Sequence, residues 1–438
     1  MIECRVNDCL HPRFPLSLPC MTSPDITASA GGVRFLGDRK AYWRLLVRGA
    51  GLLMLTLGIY RFWLATDMRR FLWSNTQVDG ETLEYTGTPI ELLLGFLTAI
   101  AILIPVYAAF FVAALDLGPL GRWSGLIGFL ALFVLGQYAV YRARRYRLTR
   151  TIYRGLRFHQ GGSAWRYAVC AIFWWTLTIL TLGLAYPWKE ARLERFKMRN
   201  TYYGDLAGRF DGTGLSLFLR GLPMWLLIFI PLAAGVTALI QSFDWKALSD
   251  AVAQSGDDVL GRIEGSNPDL AGAIVFAMLA TGAAVCIAAL LYPAFQAVLL
   301  RWWASGLRFG EFEIHSKLRT AQVYGAYVRF LWYSILFAIV AAILSIPVLL
   351  LVNVFMGGAD ASVGKELAGS LLVLIGYVIV ALGYSTIYRA TVLLSLWRFT
   401  AESLELKGIA VLAQVKATGA PSSALGEGLA DALNVGGI

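Results

Sequence analysis

Charged residues are scarce in this chain: Asp, Glu, Lys and Arg make up 15% of its 438 residues, whereas hydrophobic residues make up 58%. Such a composition excludes an ordinary soluble domain. The net charge of +10 could suggest nucleic acid as a partner, but that interpretation requires basic residues spread over a soluble face. Here they lie between long apolar runs, which predicts no nucleic acid and a bilayer with anionic headgroups instead.

Residues that carry chemistry are also rare. The chain has only three histidines, His11, His159 and His315, and they are too scattered to predict a zinc site. It lacks the HExxH, GxSxG and P-loop motifs of metalloproteases, serine hydrolases and nucleotide-binding proteins. We therefore predict no enzymatic activity, no catalytic residue, no cofactor and no metal site.

Cysteine is scarce too, with five residues in the chain. Cys4, Cys9 and Cys20 do not have the spacing of a standard zinc site. The proline-containing segment around them lacks the apolar stretch of a signal peptide. We predict that residues 1–32 form a disordered tail, and translation could start at Met1 or at Met21.

Long apolar runs are what the chain has in abundance. A membrane-spanning helix needs about 20 predominantly apolar residues. Six runs satisfy this requirement, at residues 90–115, 123–141, 215–242, 271–295, 327–355 and 367–388. The predicted fold class is therefore an all-α polytopic membrane protein.

Two further apolar segments, the one that ends at Tyr60 and the one at 168–187, decide the topology. Five basic blocks hold most of the Lys and Arg residues, at 61–88, 142–166, 189–220, 296–329 and 389–407. Loops rich in Lys and Arg face the cytoplasm, and all five blocks can do so only if the two segments are re-entrant or interfacial. We favour six spans, with a cytoplasmic C-terminus; the alternative is eight spans.

The chain repeats itself without a gap, because residues 56–94 align with 181–219. The repeat predicts an apolar segment, a TLG corner, an Arg-bearing helix and a short hairpin on the cytoplasmic side. Fainter copies of the hairpin elsewhere suggest a small sheet or collar. The candidate signature residues are Gly58, Trp63, Arg70, Asn75 and Thr76, and in the second copy Gly183, Trp188, Arg195, Asn200 and Thr201.

These signature residues allow two interpretations. The glycines let the chain turn, and the tryptophans suit the membrane boundary. The arginines and asparagines either cap helices and contact lipid phosphates, which we favour, or form a polar site that faces a pore or a partner. Pro105, Pro231 and Pro347 are candidate helix kinks, either at a transport site or in ordinary packing.

The repeat divides the chain into a membrane domain and two tails. The domain covers residues 33–408, with repeats at about 33–141 and 142–295 and a degenerate third repeat at about 296–408. Residues 409–438, which are rich in glycine and alanine, are predicted to form a flexible tail.

The segments TLGIYRFW, RRFLWSNTQVDGETLEYTGTPIELLLGF and RNTYYGDLAGRFDGTG resemble the YjgN family, a bacterial domain of unknown function numbered 898. The resemblance extends over roughly residues 33–407. It implies a multi-pass protein of the bacterial inner (cytoplasmic) membrane and supplies no activity and no catalytic residues. It also suggests a membrane protein partner, such as a membrane-associated protease.

Function is less constrained than fold. Internal repeats and kinked spans slightly favour a channel or carrier for a small solute or lipid. A non-enzymatic scaffold that holds a membrane protease or an envelope complex is the alternative. The sequence does not distinguish the substrate, the direction of movement or the oligomeric state.

Overall fold

Helices dominate the computed structural model, which describes residues 31–116, 118–253, 259–356 and 363–416. The helices are α1 (Arg39–Leu55), α2 (Arg61–Ser74), α3 (Pro89–Asp116), α4 (Gly118–Thr149), α5 (Ala164–Leu180), α6 (Tyr186–Arg199), α7 (Gly214–Gln241), α8 (Trp245–Ala253), α9 (Val259–Ser266), α10 (Pro268–Gly306), α11 (Thr320–Met356), α12 (Val363–Tyr388) and α13 (Leu394–Glu402). A π-helical turn, Arg389–Leu393, joins α12 to α13. The strands are β1 (Gly31–Phe35), β2 (Thr76–Val78), β3 (Glu81–Thr82), β4 (Glu84–Tyr85), β5 (Thr151–Tyr153), β6 (Leu156–Gln160), β7 (Thr201–Tyr203), β8 (Leu206–Phe210), β9 (Leu307–Phe309), β10 (Phe312–Ser316) and β11 (Leu404–Lys407).

The strands form a single antiparallel sheet that closes into a barrel. Its order is β3-β2-β1-β11-β10-β9-β8-β7-β6-β5-β4. The two end strands, β3 and β4, are separated in the chain by Leu83 alone, so one bent segment pairs with β2 on one side and β5 on the other. Closure removes the exposed sheet edges that would otherwise pair with other chains. The prediction of an all-α fold is therefore incomplete.

Five similar units build this barrel, and each consists of an incoming helix, two strands and an outgoing helix. Four units have a two-residue hairpin turn, as at Asp79–Gly80, where both residues have positive φ and match the twist of the strands. In the fifth unit, β11 and β1 pair although they come from opposite ends of the chain. The incoming helices are α2, α4, α6, α10 and α13, and the outgoing helices are α3, α5, α7, α11 and α1.

The same hydrogen bond links the exit of each unit to the entry of the next unit around the barrel. The backbone N–H directly after the second strand of one unit donates to the carbonyl directly before the first strand of the next. The five bonds are Leu36 to Asn75, Thr86 to Arg150, Gly161 to Asn200, Asp211 to Gly306 and Lys317 to Ser403, with N to O distances of 2.8 to 2.9 Å. This recurrence shows that the units are structural equivalents, which the sequence displays clearly only in two of them.

Six helices in the described part of the chain are long and apolar enough to cross a membrane. They are Pro89–Val112, Trp123–Thr149, Gly214–Gln241, Pro268–Gly306, Thr320–Val348 and Leu367–Glu402. These match the six predicted runs. They pack as three pairs, α3 with α4, α7 with α10 and α11 with α12. At most 17% of the apolar window of any span is buried within the chain, so most of its surface faces outward.

The two doubtful segments belong to short helical pairs, α1–α2 and α5–α6. A 17-residue helix such as α1 or α5 is about 25 Å long, less than the hydrocarbon core. Both pairs leave the barrel and return to it. Neither pair is among the six spans that the described residues contain, and their re-entrant course through the membrane stays a prediction.

The TLG corners have the same conformation in both copies. Leu57 and Leu182 have φ of 48° and 50°, and each is followed by a glycine with φ of 91°. The left-handed conformation costs a leucine about 1–2 kcal/mol. The Thr56 hydroxyl offsets part of this cost by donating to Leu52 O and accepting from Tyr60 N. Thr181 makes the matching bonds.

Apolar side chains fill the barrel. Tyr203, Leu406 and Phe312 are almost fully buried in its core. Beyond β11 the chain forms a 3₁₀ helix, Ile409–Gln414, whose Ile409 and Leu412 join the same cluster. The Lys416 N–H then donates to Asp205 Oδ1 at 3.1 Å, at the β7–β8 turn. Residues 409–416, predicted as the start of a flexible tail, thus close the far end of the barrel.

Candidate functional site

We call the junction between the barrel and the helices the neck. An arginine recurs there in every unit, although the repeat in the sequence shows it in only two. Six residues before the first strand of every unit stands an arginine, and an aromatic residue follows it. The arginines are Arg70, Arg145, Arg195, Arg301 and Arg398, and the aromatic residues are Phe71, Tyr146, Phe196, Trp302 and Phe399. Only Arg70 and Arg195 were singled out by sequence.

Three of the neck arginines hold the exits of their own units. Arg70 Nη2 donates to Gly87 O at 3.0 Å, and Arg195 Nη2 donates to Gly212 O at 3.0 Å. Arg301 Nη2 donates to Thr320 Oγ1 at 3.3 Å, at the start of α11. These three arginines therefore tie the incoming helix to the segment that leaves the barrel.

The aromatic residue that follows each arginine packs against the outgoing helix of the preceding unit. The Phe71 ring lies 5.1 Å from that of Tyr42, and the Phe196 ring lies 5.8 Å from that of Tyr167. Tyr146 shares a cluster with Leu92, Trp302 with Leu217 and Phe399 with Val323. These rings seal the joints between neighbouring units.

The Asn–Thr pairs act locally at the helix ends. Asn75 Nδ2 and Asn200 Nδ2 donate at 2.7 Å to the carbonyls of Phe71 and Phe196. Thr76 Oγ1 and Thr201 Oγ1 likewise donate to carbonyls four residues back. Such bonds satisfy carbonyls that a helix terminus leaves without partners. The asparagines and threonines therefore cap their own helices; the contact of the signature residues with lipid phosphates stays a prediction.

The remaining signature residues lie at the short helical pairs. Gly58 and Gly183 form the corners, and Trp225 Nε1 donates to Leu182 O at 3.0 Å at the second corner. Trp63 is half-buried and stacks on Tyr60, whereas Trp188 packs against Phe218 with ring centroids 4.9 Å apart. Both tryptophans thus lie at the first turn of the Arg-bearing helices.

Two buried charges near the neck have favourable partners. Arg150 donates to both carboxylate oxygens of Glu91, and the Tyr146 hydroxyl donates to Glu91 Oε2 at 2.7 Å. Lys189 is 2% exposed and lies 3.6 Å from the centre of the Trp175 ring. These contacts compensate for the cost of taking charges out of water.

An open cavity of about 930 Å³ lies between α3 and α4, far from the barrel, and lining side chains such as Tyr107 and Phe129 are exposed. Its lining is Ile100, Leu103, Ile104, Val106, Tyr107, Ala108, Phe110, Phe111, Ser124, Gly125, Gly128, Phe129 and Leu132. Only Tyr107 and Ser124 bring polar side-chain atoms to it. Pro105, one of the predicted kinks, lies between two lining residues. Such a lining suits an apolar ligand.

A second cavity, of about 750 Å³, lies at the far end of the α7–α10 pair. It is polar, with Gln241, Asp244, Asn267 and Asp269 in its wall. Pro231 lies inside α7 and Pro347 inside α11, and neither lines one of these two cavities. Among the described residues no group of three or more His, Cys, Asp and Glu side chains could hold a metal ion.

His159 provides a pH test of the barrel. Its ring stacks on Tyr202 at 4.9 Å, and burial followed by the nearby Arg145 charge lowers the pKa of His159. The folded state thus favours the neutral imidazole. The stabilisation is present above the ordinary histidine pKa of about 6.5 and is lost as the pH falls through the lower folded pKa. We expect the melting temperature of His159→Gln to fall less between pH 7 and pH 5 than that of the wild type. An unchanged pH slope would contradict this role, and His315→Gln serves as the control.

These features define a class: a polytopic membrane protein in which helical pairs extend from one closed β-barrel. A family model described as a bacterial protein of unknown function (DUF898) matches residues 30–432. The chain belongs to this family, that of the YjgN-like proteins. No curated protein and no solved structure matches the chain.

Proposed function

We propose that the protein is a carrier that binds lipid within the bilayer. The observation that carries the proposal is the apolar cavity of the α3–α4 pair. Its volume lies in the range of ligand sites, about 300–1,000 Å³. Its lining has few groups that could bind a hydrophilic solute, so among the predicted substrates lipid fits better than a small solute.

The position of the cavity agrees with a lipid ligand. It begins 11 residues into α3, at Ile100, which places it about 16 Å from the neck along the helix axis. At this depth the surrounding medium is hydrocarbon. A lipid chain can therefore reach the cavity from the bilayer without crossing water.

The filled barrel supports the same choice. Tyr203, Phe312 and Leu406 occupy its core, and Leu412 closes its end. An apolar, packed core offers no hydrated route along the barrel axis. It also supports the second candidate function, a scaffold for a membrane protease or an envelope complex, because a rigid ring suits a protein that only holds partners.

The proposal includes an orientation. The protein lies in the bacterial inner membrane, with the barrel, its hairpins and the C-terminus in the cytoplasm. The basic residues of the neck and barrel support this orientation through the positive-inside rule. A cysteine at Asn200 that reacts with an impermeant thiol reagent in intact cells would contradict it.

Filling the cavity tests the proposed function. Gly125 lines it, and a Cβ built there meets no neighbouring atom within 4 Å. Gly125→Leu therefore occupies the cavity without a clash at the first carbon. In proteoliposomes we expect the wild type to accelerate movement of a fluorescent phospholipid between leaflets. The variant should be slower by roughly tenfold, the scale on which small changes in apolar volume discriminate between ligands.

Gly136→Leu is the matched control, because Gly136 lies on the same helix, has equally open space and does not line the cavity. It should retain the wild-type rate. Equal rates for both variants and the wild type would contradict the role of the cavity. A wild-type protein that moves no lipid, yet retains a bound partner on purification, would favour the scaffold.

A further inference from the structure

We propose that two of the neck arginines, Arg70 and Arg195, bind the phosphate groups of anionic phospholipids in the leaflet next to the barrel. This inference is independent of the α3–α4 cavity, because it concerns the opposite end of the helices. It rests on the position, the fixed geometry and the charged surroundings of Arg70 and Arg195. Both arginines lie in the short helical pairs.

The neck arginines lie between the barrel and the apolar helices. Arg70, Arg195 and Arg398 are exposed, and Arg145 and Arg301 are half-buried. On one side of them is the barrel, whose outer face carries charged residues; on the other are the apolar helices. Where apolar helices meet a polar domain, the lipid headgroups lie alongside.

The hydrogen bonds within the neck fix the guanidinium groups in place. A guanidinium has five N–H donors in a planar fork. The bond from Arg70 to Gly87 O uses one Nη2 donor, and Arg195 is held to Gly212 O in the same way. An arginine whose position is already fixed loses less conformational entropy when the rest of its fork binds a phosphate.

Neighbouring charges raise the attraction for an anion. The first turns of α1, which pairs with α2, add exposed Arg39, Lys40 and Arg44 at the height of Arg70. Arg192 and Arg199, also exposed, flank Arg195 on α6, and the nearby carboxylate of Asp211 is hydrogen-bonded to Arg209. Arg398 differs, since it is paired with Glu402 at 2.8 Å, so the test below uses the first two arginines.

Phosphate could come from a lipid or from solution, and the experiment separates these sources. The purified full-length protein in a nonionic detergent is titrated with phosphatidylglycerol, with phosphatidylcholine or with inorganic phosphate, and its melting temperature is recorded. We expect phosphatidylglycerol to stabilise the wild type. The half-saturating concentration should rise about fivefold in Arg70→Gln/Arg195→Gln, because each of the two separate sites loses one basic residue near an anionic membrane surface.

Two further variants serve as controls for the loss of positive charge. Arg34→Gln/Arg157→Gln removes the same charge from exposed positions on β1 and β6, whose neighbours Val33 and Phe158 face the barrel core, and it should titrate like the wild type. Arg70→Lys/Arg195→Lys keeps the charge, and its half-saturating concentration should lie between those of the wild type and the glutamine variant. If the glutamine variant unfolds, the lysine variant is compared with the wild type alone.

Three results would overturn the proposal. The first is an unchanged half-saturation in the glutamine variant, or in the lysine variant where the former does not fold. The second is an equal loss in the control pair. The third is equal stabilisation of the wild type by phosphatidylcholine or by inorganic phosphate at the same concentration, since a lipid site for anionic headgroups requires both the glycerol-linked chains and the net charge.

Discussion

A chain that ends at Gly408 is expected to lose much of the stability of its barrel, whereas a chain that ends at Lys416 is not. The shorter chain lacks Ile409 and Leu412, which are 5% and 8% exposed. Burial of one such side chain contributes about 1.5–3 kcal/mol, so their loss should cost about 3–6 kcal/mol. The deletion also uncovers the aromatic core of the barrel.

Both truncated proteins can be purified in detergent and compared by thermal unfolding. The Lys416 chain retains the bond to Asp205 and every described contact of the cap, and it should melt with the full-length protein. Equal melting of the Gly408 chain would show that residues 409–416 add nothing to the barrel.

The second large effect is expected at Glu91. This carboxylate accepts hydrogen bonds from Arg150 and Tyr146, and Arg150 is only 8% exposed. Glu91→Leu leaves the guanidinium buried without its counter-ion, and removing one member of a buried pair costs about 3–5 kcal/mol. Equilibrium unfolding in detergent measures this loss of free energy.

A double-mutant cycle shows whether the pair acts as a unit. Replacement of a whole buried ion pair by apolar residues is often close to neutral. Glu91→Leu/Arg150→Met should therefore be more stable than Glu91→Leu alone, although it carries one more change. If the losses of stability in Glu91→Leu and in Arg150→Met simply add, the Glu91–Arg150 contact carries no coupling energy. The joint between these units then depends on its aromatic packing.

Much of the helical architecture could be predicted from sequence, because lipid imposes long apolar runs and the runs are easy to recognise. The TLG corner was also predictable, since a glycine after an apolar helix indicates a left-handed turn. The function of the corner threonine, which bonds to both helices, was not. Its partners are backbone atoms that leave no trace in the residue pattern.

The barrel and the repeated arginine were harder to predict. Strands of two to five residues, such as β3 and β6, give almost no periodic signal, and β11 pairs with β1 from the other end of the chain. The gap-free similarity covers two units, so Arg145, Arg301 and Arg398 became equivalent to Arg70 only once the first strands were aligned in the structure.

The α3–α4 cavity left no clear signal in the sequence either. Pro105 marked the helix, but Pro231 and Pro347 looked the same and line neither of the two cavities described above. What distinguishes the site is the open space beside Gly125, and space between helices depends on how they pack. The C-terminal cap was missed because its apolar residues, among them Ile409 and Leu412, stand directly before a segment rich in glycine and alanine. The whole of 409–438 was therefore interpreted as one flexible tail.

The pairing of β11 with β1 has a consequence for synthesis. A ribosome makes β1 first and β11 last, so the ring remains open while all six spans enter the membrane. During that interval β1 can pair with β2, but its other edge has no partner in the nascent chain. A message truncated before codon 404 would yield a protein with helices inserted and a permanently open sheet, a substrate for quality-control proteases.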